Sequence, residues 1–295
     1  MFNEISKNGK WWDRALTLVT GCTSVSEGCR GCWERDIAHR FSKRSPRLPA
    51  YEGTLTDKNE WSGVVKTHLR PLMSLSEKQK PTAFAVWTDL FHPKVKIDFH
   101  MKVFKKIAEC QNHVFIICTK RPYYAFEIIN EVIDVIPGCE LSNVIMMLTA
   151  ETQERYDERI NDFLRIPLRY KALSLEPLLG MIDLHLERYA STTIDEKLIG
   201  QIGDNLCWVI TGGETNNRLY KDARPSLPEY FNKIRVQCTL HNIPYCHKHN
   251  GVYISKKDGG MKKVSKTIAG RRLNGLLYSE FPQSVLSGLK VQTTF

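Results

Sequence analysis

The amino-acid sequence predicts an α/β fold, a full or partial (β/α) barrel of the TIM type. Two observations carry that expectation. Seven short apolar runs each end in polar or charged residues, as buried strands do. Between most of them lie stretches with apolar residues at helical spacing, and strands that alternate with helices build a parallel sheet. A chain of 295 residues, 42% of them hydrophobic, can bury the core of one such domain.

The first predicted strand is Ala15–Thr20, and it runs straight into Cys22. Residues 41–80 then form a polar insertion with Pro46, Pro49 and Pro71, read as a loop with a helix packed beside the barrel. Strands follow at Thr82–Trp87, His113–Cys118, Val144–Leu148, Tyr170–Leu175, Leu206–Thr211 and Ile243–Cys246. Helices are expected over Phe99–Cys110, Ala125–Val135, Glu154–Leu164 and Pro228–His241. The third of these begins after Thr152, a residue whose hydroxyl can accept from the free N–H groups of a first turn. Residues 1–250 are read as the barrel and residues 251–295 as a basic extension packed on it.

Parallel barrels carry their chemistry at the C-terminal ends of strands. The predicted ends deliver Cys22, then Thr88, Asp89 and His92, then Thr119, Lys120 and Arg121. Further on come Thr149 and Glu151, Ser174 and Glu176, Thr211 to Glu214, and His247 to His249. Charged residues after strands are common in loops, so any one of them says little. All seven ends converging on one mouth indicate a polar active site. Gly212-Gly213 reads as a place of close backbone approach to a ligand. His247 and His249, two apart, share one face of a strand and are a possible metal pair.

The densest chemical signal is Cys22, Cys29 and Cys32, spaced C-x6-C-x2-C. Three thiolates are one short of a closed structural zinc or ordinary iron–sulfur site. They suit a [4Fe–4S] cluster with one iron open to a ligand. Two other readings stand beside it: a zinc site completed by His39, and thiols without metal. Nine cysteines is an odd number, and the polar opening of the chain does not read as a secretory signal, so disulfides are not expected. The expected compartment is the cytoplasm, where thiols stay reduced.

The formal net charge is +10, which favours anionic partners. Two basic groups stand out: Arg35, Arg40, Lys43, Arg44 and Arg47 after the cysteines, and Lys256, Lys257, Lys262, Lys263, Lys266, Arg271 and Arg272 near the C-terminus. Nucleotide, DNA or RNA is the expected class of partner. No apolar run reaches the length of a membrane span.

The chain resembles a phage- and prophage-associated, three-cysteine-motif family of radical-SAM-like proteins. V-T-G-C-x6-C-x2-C-[YW] is matched by Val19–Trp33, S-D-L-F-H by Thr88–His92 and T-K-R-P by Thr119–Pro122. A V-E-N-Q-x-x-A-D-x-R-I segment is matched across Ala150–Ile160, where Glu151, Gln153, Asp157, Arg159 and Ile160 agree. S-x-E-P-L-L-G is matched by Ser174–Gly180, W-V-I-x-G-G-E by Trp208–Glu214, and A-G-R-x-L-x-G by Ala269–Gly275. The family's K-Q-W-G keeps only Lys248 and Gly251. The first cysteine gap is longer than the C-x3-C-x2-C usual in radical SAM enzymes.

The resemblance implies a radical-SAM-type barrel and a reaction in which the open iron chelates S-adenosylmethionine. An electron donor triggers its cleavage, and the resulting 5′-deoxyadenosyl radical abstracts hydrogen from the substrate. Cys22, Cys29 and Cys32 would ligate the cluster. Asp89, Glu151 and Glu176 would hold the methionine amine or ribose hydroxyls, and Lys120 and Arg121 a carboxylate or phosphate. The alternative is a zinc-stabilised nucleic-acid-binding protein without catalysis.

Overall fold

The computed structural model describes residue 6 and residues 9–43, 48–136, 141–187, 206–283 and 285. Arg44, Pro46 and Arg47 of the sequence reading lie outside the described residues, as does the end of the C-terminal extension.

Seven parallel strands form one curled sheet, a half-barrel. They are β1 (Arg14–Thr17), β4 (Ala83–Trp87), β5 (Val114–Thr119), β6 (Val144–Thr149), β7 (Tyr170–Leu175), β8 (Leu206–Gly212) and β9 (Tyr245–His249), paired in that order. The register runs through Leu16↔Val86, Ala85↔Ile116, Ile117↔Met146, Leu148↔Leu173, Ser174↔Ile210 and Ile210↔Cys246. The first predicted strand is split. Its end is a separate strand β2 (Val19–Thr20), turned to pair antiparallel with β3 (Lys66–Thr67) from the insertion. The last strand starts later than expected, so His247, Lys248 and His249 lie within it and not beyond it.

The helices are α1 (Trp33–Lys43), α2 (Arg70–Met73), α3 (Ile97–Ala108), α4 (Pro122–Val135), α5 (Gln153–Arg165), α6 (Pro228–Leu240) and α7 (Lys266–Ala269). Their starts follow local chemistry. Thr152 Oγ1 accepts from Arg155 N, and proline opens α4 and α6, where its missing N–H costs nothing. Strand alternation then divides the core. Phe84, Val86, Phe115, Ile117, Met146 and Leu173 meet helix residues such as Phe104, Ile129 and Phe163. Ala83, Ala85, Ile116, Met147, Ala172 and Ile210 face the inside of the curl.

Trp11, Trp208 and Phe281 fill the base of that inner face. The ring of Trp208 is 5.9 Å from Trp11 and 4.9 Å from Phe281, and its Nε1 donates to Glu280 O. The chain before β1 and the chain after β9 therefore close the floor. Trp12, Trp87 and Cys118 border the upper, half-exposed part. A hairpin of β10 (Tyr253–Ser255) and β11 (Met261–Lys263) carries the basic extension. Among the described residues, no helix is long and apolar enough to cross a membrane.

Candidate functional site

The loop between β2 and α1 lies over the C-terminal mouth of the sheet. Gly21 opens it at φ +81, and a Cβ there would stand 2.0 Å from Val64 O, so only glycine fits. A 3-10 turn over Glu27–Cys29 follows, in which Cys29 N donates to Ser26 O at 3.0 Å. Cys32 N donates to Cys29 O at 3.2 Å, immediately before α1 begins. All three motif cysteines thus sit on one short, internally bonded segment.

Side chains from four strand ends grip this segment. After β4, Asp89 accepts from Phe91 N, Thr119 Oγ1, Lys120 N and Arg121 Nη1, the last at 2.7 Å. After β5, Arg121 Nη2 donates to Thr23 O at 2.8 Å and to Thr23 Oγ1 at 2.9 Å, while its Nη1 lies 3.8 Å from Cys22 Sγ. Lys120 Nζ lies 3.8 Å from Cys29 Sγ and 3.1 Å from Glu151 Oε1. After β6, Glu151 also accepts from Ser26 Oγ, from Gly28 N at 3.0 Å and from Arg159 Nη1 at 3.0 Å.

The fourth grip comes from the loop after β8. Arg224 donates to both oxygens of Glu214, and its Nη2 reaches Glu27 O at 2.9 Å. Asn217 Nδ2 donates to Gly31 O at 3.1 Å. A Cβ on Gly31 would stand 2.8 Å from the Tyr220 ring. The sequence reading placed Glu214 at a strand end but missed Arg224, Asn217 and Ser26. Small polar residues in loops carry no periodic signal that would single them out.

His92 completes the surround. Its Nδ1 accepts from Lys94 N and its Nε2 lies 3.0 Å from Thr23 Oγ1. Burial, with Arg121 adding to it, lowers His92 to about 4, so the ring is neutral and donates from Nε2.

The five residues assigned to a cofactor therefore divide. Asp89 and Glu151 are surrounded by donors from their own chain, and Lys120 and Arg121 stand between them and the cysteines. Glu176 differs. It accepts from Ser174 Oγ at 3.2 Å and pairs with Lys248, yet its buried Oε1 accepts no hydrogen bond. Gly212 and Gly213 pack against the chain itself: a Cβ on Gly212 would meet Glu176 Oε1 at 2.5 Å, and one on Gly213 would meet Asn250 O at 2.6 Å. Both ring nitrogens of His247 are engaged, Nδ1 with Thr211 Oγ1 and Nε2 with Asn250 Oδ1. His39 Nδ1 lies 2.8 Å from Asn59 Oδ1.

The thiols are tuned differently. Burial raises Cys22 to about 11 and Cys32 to about 12. Burial also acts to raise Cys29, but the Lys120 charge and the N–H groups of Val25 and Ser26 outweigh it and leave that thiol below its ordinary value. Among the described residues, no group of three or more His, Cys, Asp or Glu side chains is placed to hold a metal ion. The donor set nonetheless fits an iron–sulfur cluster in kind. It has three thiols, and two fixed cations face them where thiolate charge would develop. A cube takes its thiolates at separate corners, so its ligands need not converge on a single point.

The clamped loop, the strand ends that hold it and the floor beneath it span almost the whole chain. The model of a family described as a protein of unknown function, DUF5131, matches residues 6–282. The chain belongs to this family. No curated protein and no solved structure matches it. Every member of the grip, from Cys22 to Arg224, falls inside the matched DUF5131 region, as does the lysine-bearing hairpin.

Proposed function

We propose that this protein is a radical-SAM-type iron–sulfur enzyme whose cluster is held by Cys22, Cys29 and Cys32. One observation supports the reading above others: the three cysteines share a loop that four strand ends pin to the mouth of a parallel half-barrel, with Lys120 and Arg121 each 3.8 Å from a thiol sulfur. Bound there, such a cluster with S-adenosylmethionine supplies a carbon radical for hydrogen abstraction.

The chain's own residues have distinct duties in this reading. Lys120 and Arg121 lower the free energy of thiolate at Cys29 and Cys22 by direct charge. Asp89 and Glu151 orient those two cations and act as positioning residues. Glu176, paired with Lys248 and with a buried oxygen that accepts no hydrogen bond, is the carboxylate left to contact a ligand. Trp87, Cys118 and the buried Ser174 lie on the inner wall beside the loop, where exclusion of water would favour radical chemistry. An external electron donor and a nucleotide or nucleic-acid substrate belong to the same proposal.

Anaerobic reconstitution with iron and sulfide tests it. The expected result is brown protein that releases 5′-deoxyadenosine from S-adenosylmethionine under a reductant. Colourless protein that retains zinc through the same treatment would replace this reading with the zinc-stabilised binding protein.

A further inference from the structure

Between the hairpin of β10 and β11 and the start of α6 lies a cavity of about 270 Å³. Its apolar walls are Tyr253, Ile254 and Met261 from the hairpin and Leu273 from the chain after α7. Hydrogen bonds fix those walls. Tyr253 Oη donates to Ala223 O at 2.9 Å. Asn250 also lines the cavity, and its Nδ2 donates to Ala269 O at 2.9 Å and to Arg272 O at 3.1 Å. The volume lies just below the roughly 300–1,000 Å³ usual for small-molecule sites, so the cavity suits a small ligand.

The charge around it has one sign. No acidic side chain is among the lining residues, whereas Arg272 is one of them. Arg272 Nη1 donates to Gly275 O at 2.7 Å, and among the described residues the rest of its guanidinium has no hydrogen bond. Ser226 and Pro228 stand on either side of Leu227, the N-cap of α6, and both line the cavity. Leu227 has no side chain that can cap the helix, so its positive end is left to an anion. Ser226 is 3% exposed, and its buried Oγ has no hydrogen-bond partner. A buried hydroxyl costs free energy until a partner is supplied. Glu229 and Asp258, the carboxylates next to these elements, are exposed and line no part of the cavity. Lys256, Lys257 and Lys262, exposed on the same hairpin, add to the positive field.

We infer that this cavity binds a small organic acid. Arg272, the Ser226 hydroxyl and the start of α6 hold its carboxylate, and its apolar body lies against Tyr253, Ile254, Met261 and Leu273. A planar guanidinium matches a carboxylate in shape and offsets its single charge. The site is additional to the one proposed above. It shares no residue with the grip on the cysteine loop, and its test does not depend on iron.

Titration calorimetry on the full chain at low salt compares phenylacetate, its neutral analogue phenylacetamide, and phenyl phosphate. Phenylacetate is expected to bind about tenfold or more tightly than the amide, the difference a charged hydrogen bond makes. Arg272→Gln should remove that preference. Arg272→Lys, which keeps the charge without the planar fork, should restore part of it. Ser226→Ala should weaken phenylacetate about fivefold, the loss of one neutral hydrogen bond. The urea midpoint of ligand-free Ser226→Ala should stay level or rise, because the hydroxyl it lacks had no partner. A lower midpoint would make that hydroxyl structural and overturn its part in the seat. No binding of phenylacetate, or equal affinity for acid and amide, overturns the inference. Tighter binding of phenyl phosphate would assign the seat to a phosphate group and overturn it too. A preference for the acid that survives Arg272→Gln would place the acid elsewhere on the basic surface, with the same consequence.

Discussion

Lys120 stands 3.1 Å from Glu151 Oε1 and, through that pairing, holds its ammonium 3.8 Å from Cys29 Sγ. Glu151 is fully buried, and Arg159 occupies its other oxygen at 3.0 Å. Burial opposes its charge, but Lys120, Ser26 and Arg159 together keep the carboxyl below its ordinary range. It is a keystone between strand β6 and the cysteine loop, and its oxygens are taken up by the protein.

Glu151→Ala should therefore act first on stability. Removing one partner of a buried ion network leaves Arg159 uncompensated, a loss of about 3–5 kcal/mol. Urea unfolding should show a lower midpoint at unchanged slope, and reconstituted iron content should fall with it. A variant that folds as wild type but binds S-adenosylmethionine poorly would return Glu151 to the role of a cofactor contact.

The cysteines separate by surroundings. Cys22, Cys29 and Cys32 lie on the clamped loop, whereas Cys110, Cys207, Cys238 and Cys246 are buried among apolar neighbours in the two cores. Each single Ala change in the first set should abolish stable iron retention after reconstitution, and changes at Cys110 or Cys238 should not. Iron and sulfide analysis decides it, and full iron in Cys29→Ala would sink the assignment.

Much of the fold was legible because its signals are periodic. Five of the predicted strands reappear within one residue of their observed bounds, since a strand buried on both faces reads as a continuous apolar run. Four long helices follow for the same reason, with the Thr152 cap as expected, whereas α1 (Trp33–Lys43) was not anticipated. What escaped was set by tertiary contact. The break between β1 and β2 depends on Leu18 and His68, far apart in sequence, whose backbones meet at 2.8 Å. In the basic group after the cysteines, Arg35 was read with its neighbours as a site for anionic partners. Arg35 itself is buried, donating to Glu60 and to Arg30 O, because side chains of one charge in sequence need not share a surface. In the site, carboxylates at strand ends were found, but whether their oxygens are free is decided by donors such as Ser26 and Arg159 that no spacing reveals.

Gly213 tests one such contact. A Cβ there would meet Asn250 O at 2.6 Å and Gly251 N at 2.8 Å, and backbone on both sides cannot yield as a flexible side chain can. Gly213→Ala should destabilise by about 1–3 kcal/mol, the usual effect of overpacking. At Gly180, as at Gly213, φ is not positive, but nothing lies within 4 Å of an added Cβ, so Gly180→Ala serves as the control without close approach. Equal losses at both positions would mean that close approach at Gly213 contributes nothing.

Acid should weaken the fold through His247. Burial lowers its ring to about 4, against about 6.5 in the unfolded chain. The unfolded state therefore binds the proton first as pH falls. Stability is full above about pH 6.5 and is lost towards pH 4, by about 3 kcal/mol at 1.36 kcal/mol per unit. His247→Gln should show a shallower loss across that window in urea unfolding. Parallel curves for the two proteins would show that His247 titrates normally in the folded state.

Lys171 gives the complementary dependence at high pH. It lies on β7 with its ammonium buried, its Nζ donating to Leu168 O at 2.8 Å. Burial lowers it to about 8, against 10.5 in the exposed chain. Between those values the unfolded state carries the proton and the folded state does not, so stability contributed at this site rises with pH. Below about pH 8 the folded state holds an ammonium that is worse solvated than in the unfolded chain. The gain from pH 8 to 10.5 is about 3 kcal/mol for a shift of this size. Other lysines and tyrosines titrate in the same range, so the comparison must be with Lys171→Met, in which every other group is unchanged. The wild-type urea midpoint should rise relative to that variant as pH increases. A constant gap between the two midpoints at pH 8 and 10.5 would mean that Lys171 finds enough water or charge to keep its proton, and the burial argument fails.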